Sequence, residues 1–321
     1  MNKLKTIGIS ALAGSLAAFS AQAFEASVSG GAEITISHQG GTDVTGNPLG
    51  ARKNITFSGS GELDNGWGIS VFHAMGDTNA FGSSVYSFDM GSIGTISLDS
   101  GSGGHGAAAI DNIVPTAYEE ADYGFTTGAN DIGGTASGEY IGYSNTVGAA
   151  TILAAYNPDR GGATQGDGGS VEGSGSAWDI GVKFAPVDGM LIVAGWGQLE
   201  NGTAGTADVD EDTIGITYAM GAVTVGAQLS HNDVNGGIEN TTQAVGITFN
   251  VSDNLSVGYQ RLSDEYNRVG LNDTDTTFNG LTAAYSMGNI GIKFVANDVS
   301  NHGGTAGSSD EAKELSLSFA F

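Results

Sequence analysis

The sequence predicts an all-β protein in which about sixteen antiparallel strands close into a barrel, and three observations support this fold class. Apolar and polar residues alternate with period two, Gly makes up 54 of the 321 residues, and short turns alternate with long polar connections. Because alternation places successive side chains on opposite faces of a strand, each segment has one apolar and one polar face. A barrel wall between lipid and water requires such faces.

Residues 1–23 have the features of a secretory signal peptide. Lys3 and Lys5 form a positive start, residues 7–19 form a short apolar segment, and residues 21–23 supply a small-x-small cleavage pattern. A buried N-terminal helix is the alternative. With the signal removed, a single domain of residues 24–321 remains, in which 8 Lys and Arg oppose 35 Asp and Glu for a net charge of −27.

The composition excludes several classes of protein. With 0 Cys, neither a disulfide scaffold nor a Cys-ligated zinc site can form. The negative charge opposes nucleic-acid binding, because phosphate recognition needs clustered Lys and Arg. The mature chain has no run of about 18 apolar residues, so no membrane-spanning helix is predicted.

Strict alternation is clearest in the last segment, where Leu315, Leu317 and Phe319 share one face and Glu314 lies on the other. The sequence contains about sixteen such segments, and each predicts a strand. The predicted spans are 25–38, 52–63, 67–75, 83–90, 94–99, 139–145, 148–156, 176–184, 190–197, 211–218, 222–230, 241–249, 255–261, 276–285, 290–297 and 311–321.

The connections between these segments alternate in length. Short turns rich in Gly, Asn and Asp, such as residues 64–66, supply the positive φ angles that tight hairpins need. Longer connections rich in Gly, Asp, Ser and Thr lie between them. The longest spans residues 100–138, which exceeds ordinary loop lengths and predicts a functional role.

Two features favour a transmembrane barrel over a soluble β-sandwich, which is the alternative. The strand count is even, with short turns on one side and long loops on the other. Aromatic residues such as Trp67, Trp178, Trp196 and Phe321 fall near strand ends, where they would form girdles at the membrane interfaces. In hydrocarbon, a closed barrel leaves no strand edge unpaired.

Residues 87–98 contain a strand, a Gly turn and a second strand ahead of the longest loop, and the alternating segments 139–144 and 148–156 follow that loop. These three segments resemble the strands on either side of the third loop in the general porins of Gram-negative outer membranes. The terminal Phe321 resembles the family's outer-membrane assembly signal. The resemblance implies a homotrimer of sixteen-stranded barrels, each with its third loop folded into the pore. It also implies contact with outer-membrane lipid and lipopolysaccharide, and biogenesis by the barrel-assembly machinery.

The third loop, residues 100–138, contains the acids predicted to line a pore constriction. If the loop folds inward, its carboxylates attract cations and repel anions. A solvated surface loop is the alternative. The predicted constriction acids are Asp111, Glu119, Glu120 and Asp122, with Asp131 further along the loop.

Five bases are predicted to face these acids from the barrel wall. A Lys on the lipid face near mid-membrane costs about 2–4 kcal/mol, so strand bases are expected to point into the lumen. Pairing with a nearby carboxylate for structural reasons is the alternative for each. The predicted wall bases are Arg52, Lys53, Lys183, Arg261 and Lys293.

The remaining polar clusters suggest little further chemistry. Asp208, Asp210 and Asp212 could bind Ca²⁺ or Mg²⁺, which prefer carboxylate oxygens, although solvated loop acids are the alternative. No other cofactor is predicted. The five histidines are dispersed, so no metal or catalytic constellation is indicated and the protein is not predicted to be an enzyme.

The sequence therefore predicts an outer-membrane porin, a passive water-filled channel for ions and small hydrophilic solutes that prefers cations. A substrate-selective porin of the same fold is one alternative, and aromatic residues along the lumen would favour it. A secreted Gly-rich adhesive β-protein is the other.

Overall fold

The structure is a computed structural model that describes residues 24–41, 46–77, 81–125, 139–159, 175–200, 208–234, 238–268 and 274–321. The predicted signal peptide and Asp131 lie outside these residues.

Within the described residues, sixteen antiparallel strands form one closed barrel, which confirms the predicted fold class. Each strand pairs with its neighbours in the chain, and β1 pairs with β16 to complete the barrel. The strands are β1 (Glu25–Gln39), β2 (Leu49–Glu62), β3 (Gly68–Met75), β4 (Phe81–Asp89), β5 (Thr95–Ser100), β6 (Glu139–Val147), β7 (Ala150–Asn157), β8 (Ala177–Phe184), β9 (Met190–Leu199), β10 (Val209–Met220), β11 (Val223–Val234), β12 (Ile238–Ser252), β13 (Leu255–Arg268), β14 (Thr276–Met287), β15 (Ile290–Ser300) and β16 (Ser309–Ala320).

The barrel has a short-turn end and a long-loop end, as predicted. At the short-turn end, the connections from β6 to β7, β10 to β11, β12 to β13 and β14 to β15 each contain two residues. Gly148 begins the first of these turns with a φ of 63°, which a residue with a side chain rarely adopts. The predicted spans 139–145 and 148–156 put this turn at residues 146–147, and it lies two residues later because Thr146 still pairs with Thr151 in the sheet.

The two faces of the wall differ in polarity, and the apolar face points outward. In β15, Ile292 and Phe294 are 46% and 41% exposed on the outer face, whereas Lys293 between them points inward. Trp178 and Trp196 are also exposed on the outer face. A continuous apolar exterior of this kind fits a barrel surrounded by hydrocarbon.

Two clusters of buried apolar residues lie inside the barrel, between the wall and the third loop. One cluster joins Ile110 of the loop to Leu153 and Val193 of the wall. The other joins Ala121 of the loop to wall residues that include Phe278. The third loop therefore folds inward, as the family resemblance implies.

Helical structure in the described ranges consists of short 3₁₀ turns, such as Gly106–Ile110 in the third loop. Among the described residues, no helix is long and apolar enough to cross a membrane.

Candidate pore constriction

Side-chain amides of the wall bind the backbone of the third loop where it crosses the lumen. Gln228 of β11 accepts a hydrogen bond from Ile113 N at 3.1 Å and donates one to Ile110 O at 2.9 Å. Gln260 of β13 accepts from Ala121 N at 2.7 Å. Because buried backbone groups need partners, these amides replace the neighbouring strand that the loop lacks.

Seven glycines, one on each strand from β8 to β14, form a track beneath the third loop, which we call the glycine track. A Cβ atom on any of them would lie 2.5 to 2.9 Å from a loop atom, a separation that real side chains essentially never show. The missing side chains therefore form the groove in which the loop lies, and they account for part of the high Gly content. The track consists of Gly181, Gly195, Gly215, Gly226, Gly246, Gly258 and Gly280.

The tip of the third loop, residues 116–125, ends at the seam between β1 and β16. Tyr123 N donates to Glu120 O at 3.2 Å, which closes a turn within the tip. Asn297 of β15 donates from Nδ2 to Glu120 O at 2.8 Å and to Tyr123 O at 3.0 Å. The turn is thus held against β15, the strand next to β14, where the glycine track ends.

A single carboxylate, Glu314 of β16, binds the tip most closely. Tyr118 donates from its hydroxyl to Glu314 Oε1 at 2.9 Å, and Tyr123 donates to Oε2 at 2.6 Å. Ser37 of β1 also donates to Oε2, at 2.9 Å. Burial and hydrogen bonding to Glu314 raise the pKa of both tyrosine hydroxyls, so they remain protonated donors.

A second carboxylate, Glu33 of β1, lies beside the first. The Ser316 hydroxyl donates to Glu33 Oε1, and the Tyr118 hydroxyl lies 3.3 Å from the same oxygen. On its other side, Glu33 Oε2 is 3.8 Å from Nη1 of Arg52, its cross-strand partner in β2. Two carboxylates and one guanidinium therefore meet at the tip.

Three of the predicted wall bases point into the barrel. Arg52 donates from Nη2 to the Tyr123 hydroxyl at 3.1 Å, and Lys293 Nζ lies 4.9 Å from the ring centroid of Tyr118. The cation–π contact places the second base directly beside the tip. Lys183 lies on the inward face of β8, two residues from the glycine track toward the short-turn end.

Glu119 of the tip interacts electrostatically with these charged groups. It is half-buried, and burial raises the pKa of its carboxyl. The charge of Arg52 opposes this shift, whereas the charges of Glu314 and Glu33 add to it. Glu119 therefore belongs to the same electrostatic cluster as the two wall carboxylates.

The other three predicted constriction acids line a different surface of the third loop. Asp111, Glu120 and Asp122 line a cavity between the third loop and the wall of β11 to β13, with Gln260 among its other lining residues. The four acids are thus divided between two sides of the loop.

Two of the predicted wall bases lie on the outer face, so the prediction that they line the pore is wrong. Lys53 alternates with the inward-pointing Arg52. Arg261 pairs with Val245, which is 50% exposed on the outer face, and it alternates with Gln260, which is buried under the loop. Because a shift of one residue along a strand reverses the face, neither side chain can share the inner wall.

The structure does not support the predicted divalent-cation site at Asp208, Asp210 and Asp212. Asp210 and Asp212 lie on strand β10 instead of in a loop, where Gln198 donates to Asp210 at 2.8 Å and His231 Nδ1 lies 3.3 Å from Asp212. Among the described residues, no group of three or more His, Cys, Asp or Glu side chains is placed to hold a metal ion.

Glu33 and Glu314 were not predicted as site residues. Alternation places Glu314 on the polar face of the last strand and Glu33, which precedes Ile34 and Ile36 in the alternation, on the polar face of the first. The two acids lie side by side because β1 pairs with β16, and these two strands pair only in the closed barrel. Phe321, the predicted assembly signal, follows β16 at the short-turn end and is 71% exposed.

Comparison with known sequences places the whole barrel in one family. A family model described as Gram-negative porin matches residues 8–318. No curated protein matches the chain.

Solved structures similar to this chain share its barrel at low sequence identity. A porin refined at 1.8 Å resolution has a TM-score of 0.70 and 16% identity, covering 92% of this chain and 100% of that chain. A loop L8 deletion mutant of OmpT from Vibrio cholerae has a TM-score of 0.66 and 15% identity, covering 93% and 100%. Salmonella typhi OmpF in complex with daunomycin has a TM-score of 0.65 and 12% identity, covering 92% and 97%.

Proposed function

Since the chain belongs to the Gram-negative porin family and is an outer-membrane channel, we propose that it conducts ions and small hydrophilic solutes passively and prefers cations. The family and its fold are those of channels that catalyse no reaction.

The observation that carries the cation preference is the charge cluster at the tip of the third loop. Three carboxylates, Glu33, Glu119 and Glu314, lie there with two bases, Arg52 and Lys293. A narrow aqueous path with low-dielectric walls concentrates the field of such charges. An excess of acids at that point favours cations over anions.

The lining of the wall supports general diffusion over substrate selectivity. An aromatic track along the lumen would favour a selective porin, but the inward Phe72 lies among hydroxyl groups and Tyr140 is fully buried. Small hydroxyl side chains offer hydrogen bonds to many solutes without fitting one shape. The serines of this part of the wall are Ser27, Ser58, Ser60, Ser70 and Ser87.

Reconstitution of the purified protein into a planar lipid bilayer tests both properties. With a KCl gradient across the bilayer, we expect stepwise conductance and a reversal potential shifted from zero toward the equilibrium potential of K⁺. The preference should weaken in concentrated salt, because salt screens the charges. A reversal potential shifted toward the equilibrium potential of Cl⁻ would contradict the cation preference. The absence of conductance steps would contradict the proposal that the protein forms an open channel. Detergent buffer without protein is the control.

We also propose that the mature chain begins after Ala23 and assembles as a homotrimer in outer-membrane lipid and lipopolysaccharide, with the help of the barrel-assembly machinery. The family resemblance supports this assembly, and the exposed apolar outer face supports contact with lipid. Light scattering of the detergent-solubilised protein should give three times the chain mass. A protein mass equal to one chain would contradict the trimer, and N-terminal sequencing checks the cleavage site.

A further inference from the structure

We propose that Glu314 is the positioning residue of the constriction, because its carboxylate fixes the tip and so holds Glu119 in the path of the ions. This inference rests on the proposed function, since it assigns the residue that creates the charged constriction.

The two tyrosine bonds bracket the part of the tip that carries the charge. Tyr118 immediately precedes Glu119, and Tyr123 is the last residue of the turn that Glu120 begins. Their hydroxyls bind different oxygens of the Glu314 carboxylate, at 2.9 and 2.6 Å. The tip therefore cannot move away from the wall without breaking both bonds, and hydrogen bonds to a charged group are stronger than neutral ones.

The tip is also fixed on the other side of the barrel seam. Gln39 of β1 donates from its side chain to Gly124 O, and Ser37 of β1 binds Glu314 itself. Gly124 has a φ of 90°, and a Cβ atom there would lie 2.6 Å from Cβ of Ala312 in β16. The tip thus packs directly on the first and last strands, and Glu314 connects it to both.

Glu314 could affect ions directly as a charge instead of positioning the tip. Its exposure is only 3%, so little of it faces the aqueous path. The two roles predict different results when the tyrosine hydroxyls are removed. A Tyr118→Phe/Tyr123→Phe variant keeps every charge in the pore and removes the donors that hold the tip.

The experiment compares three variants in planar bilayers. These are the double phenylalanine variant, Glu314→Gln and the control Glu211→Gln, which alters a carboxylate of β10 that is equally buried at 4% exposure. We expect the first two to show greater open-channel current noise, a changed single-channel conductance and a reversal potential moved toward chloride. Displaced positions of the tip should become at least about tenfold more populated, since that factor matches the loss of one hydrogen bond to a charged group. Glu211→Gln should retain wild-type noise and conductance.

A double-mutant comparison with Glu119→Gln tests whether Glu314 acts through the tip. If the tip no longer holds its position, Glu119→Gln should shift the reversal potential in the double phenylalanine background by less than about half of its effect in the wild type. Gel mobility before and after heating shows whether each variant has folded. If a variant does not fold, Tyr123→Phe alone provides the same comparison with one of the two tyrosine–Glu314 bonds removed.

The outcomes separate this inference from the proposed function. If the folded double phenylalanine variant matches the wild type in noise, conductance and reversal potential, the positioning role is wrong even though the channel prefers cations. If the wild-type channel prefers chloride, the proposed selectivity is wrong, while the noise and conductance of the variant still decide whether Glu314 holds the tip.

Discussion

Phe321, the last residue of the chain, is hydrogen-bonded to Gly30 of the first strand in both directions. Phe321 N donates to Gly30 O at 3.0 Å, and Gly30 N donates to Phe321 O at 2.9 Å. The Phe321 ring occupies the space beside Gly30, where a Cβ atom would lie 2.7 Å from the ring and 2.7 Å from Asn54 O. The terminal residue therefore extends the pairing of β16 with β1 and helps to close the barrel.

Gly30→Val should impair closure of the barrel. The new side chain would collide with the backbone of β2 as well as the Phe321 ring, and overpacking of this kind costs about 1–3 kcal/mol. We expect a lower yield of heat-modifiable barrel in outer-membrane fractions, and a comparable loss when Phe321 is deleted. Gly46→Val is the control, because a Cβ at Gly46 meets nothing within 4 Å. A normal yield of Gly30→Val would show that the seam tolerates a side chain here.

Gly246→Leu should narrow the pore by displacing the third loop from its groove. A Cβ at this glycine would already lie 2.7 Å from Pro115 O and 2.7 Å from a Val114 methyl carbon, so a larger side chain must push the loop into the lumen. We expect a lower single-channel conductance. Ala227→Leu is the matched control, because Ala227 pairs with Val245 on the outer face of the neighbouring strand. An unchanged conductance in folded Gly246→Leu would show that the third loop does not lie against the glycine track.

Period-two alternation predicts the strands, because burial on one face fixes the register of each strand. The even strand count, the alternating connection lengths and the aromatic residues near strand ends favour the barrel. Alternation also explains the two errors among the wall bases. Lys53 and Arg261 do not follow the expectation that strand bases point into the lumen, because both alternate with inward neighbours. The alternation in the sequence itself therefore indicates the outer face for these two bases.

The arrangement at the tip could not be predicted in this way. Glu33 and Glu314 are 281 positions apart in the chain, and they meet because the barrel closes on itself. The path of the third loop depends on glycines of seven strands, and a glycine in a strand pattern does not indicate what approaches it. The loop acids are divided between two sides of the loop because of that path, so this division cannot be predicted from the sequence either.

Glu119→Gln should reduce the cation preference more than Glu120→Gln. The first acid lies with Glu33, Glu314 and Arg52, whereas the second lines the cavity on the other side of the loop. Both substitutions remove one negative charge from adjacent residues, so a difference in reversal potential reports position instead of net charge. The difference should increase at low ionic strength. Equal shifts would mean that the cation preference depends on the total charge of the loop and not on the position of each acid.

Lys293→Gln should increase the cation preference, and Arg261→Gln should leave it unchanged. Lys293 lies in the lumen beside Tyr118, while Arg261 lies on the outer face of β13. Reversal potentials in a KCl gradient measure the effect, and the Arg261 variant controls for the loss of one positive charge from the protein. A shift of similar size in both variants would contradict the assignment of Arg261 to the outer face.

The cation preference should decrease as the pH falls, and the decrease should begin above the pH range of an ordinary exposed glutamate. Burial raises the pKa of Glu119, so this carboxyl binds a proton at a higher pH than the usual value of about 4.3. Neutralising it removes one of the three acids at the constriction, while the charges of Arg52 and Lys293 remain. Reversal potentials recorded from pH 8 downward, with flanking buffers matched in ionic strength, measure the transition. In Glu119→Gln the upper part of this transition should be absent, because the residue that titrates there has been removed. If the wild type and the variant lose selectivity over the same pH range, Glu119 is not the group that titrates, and its place in the ion path is wrong.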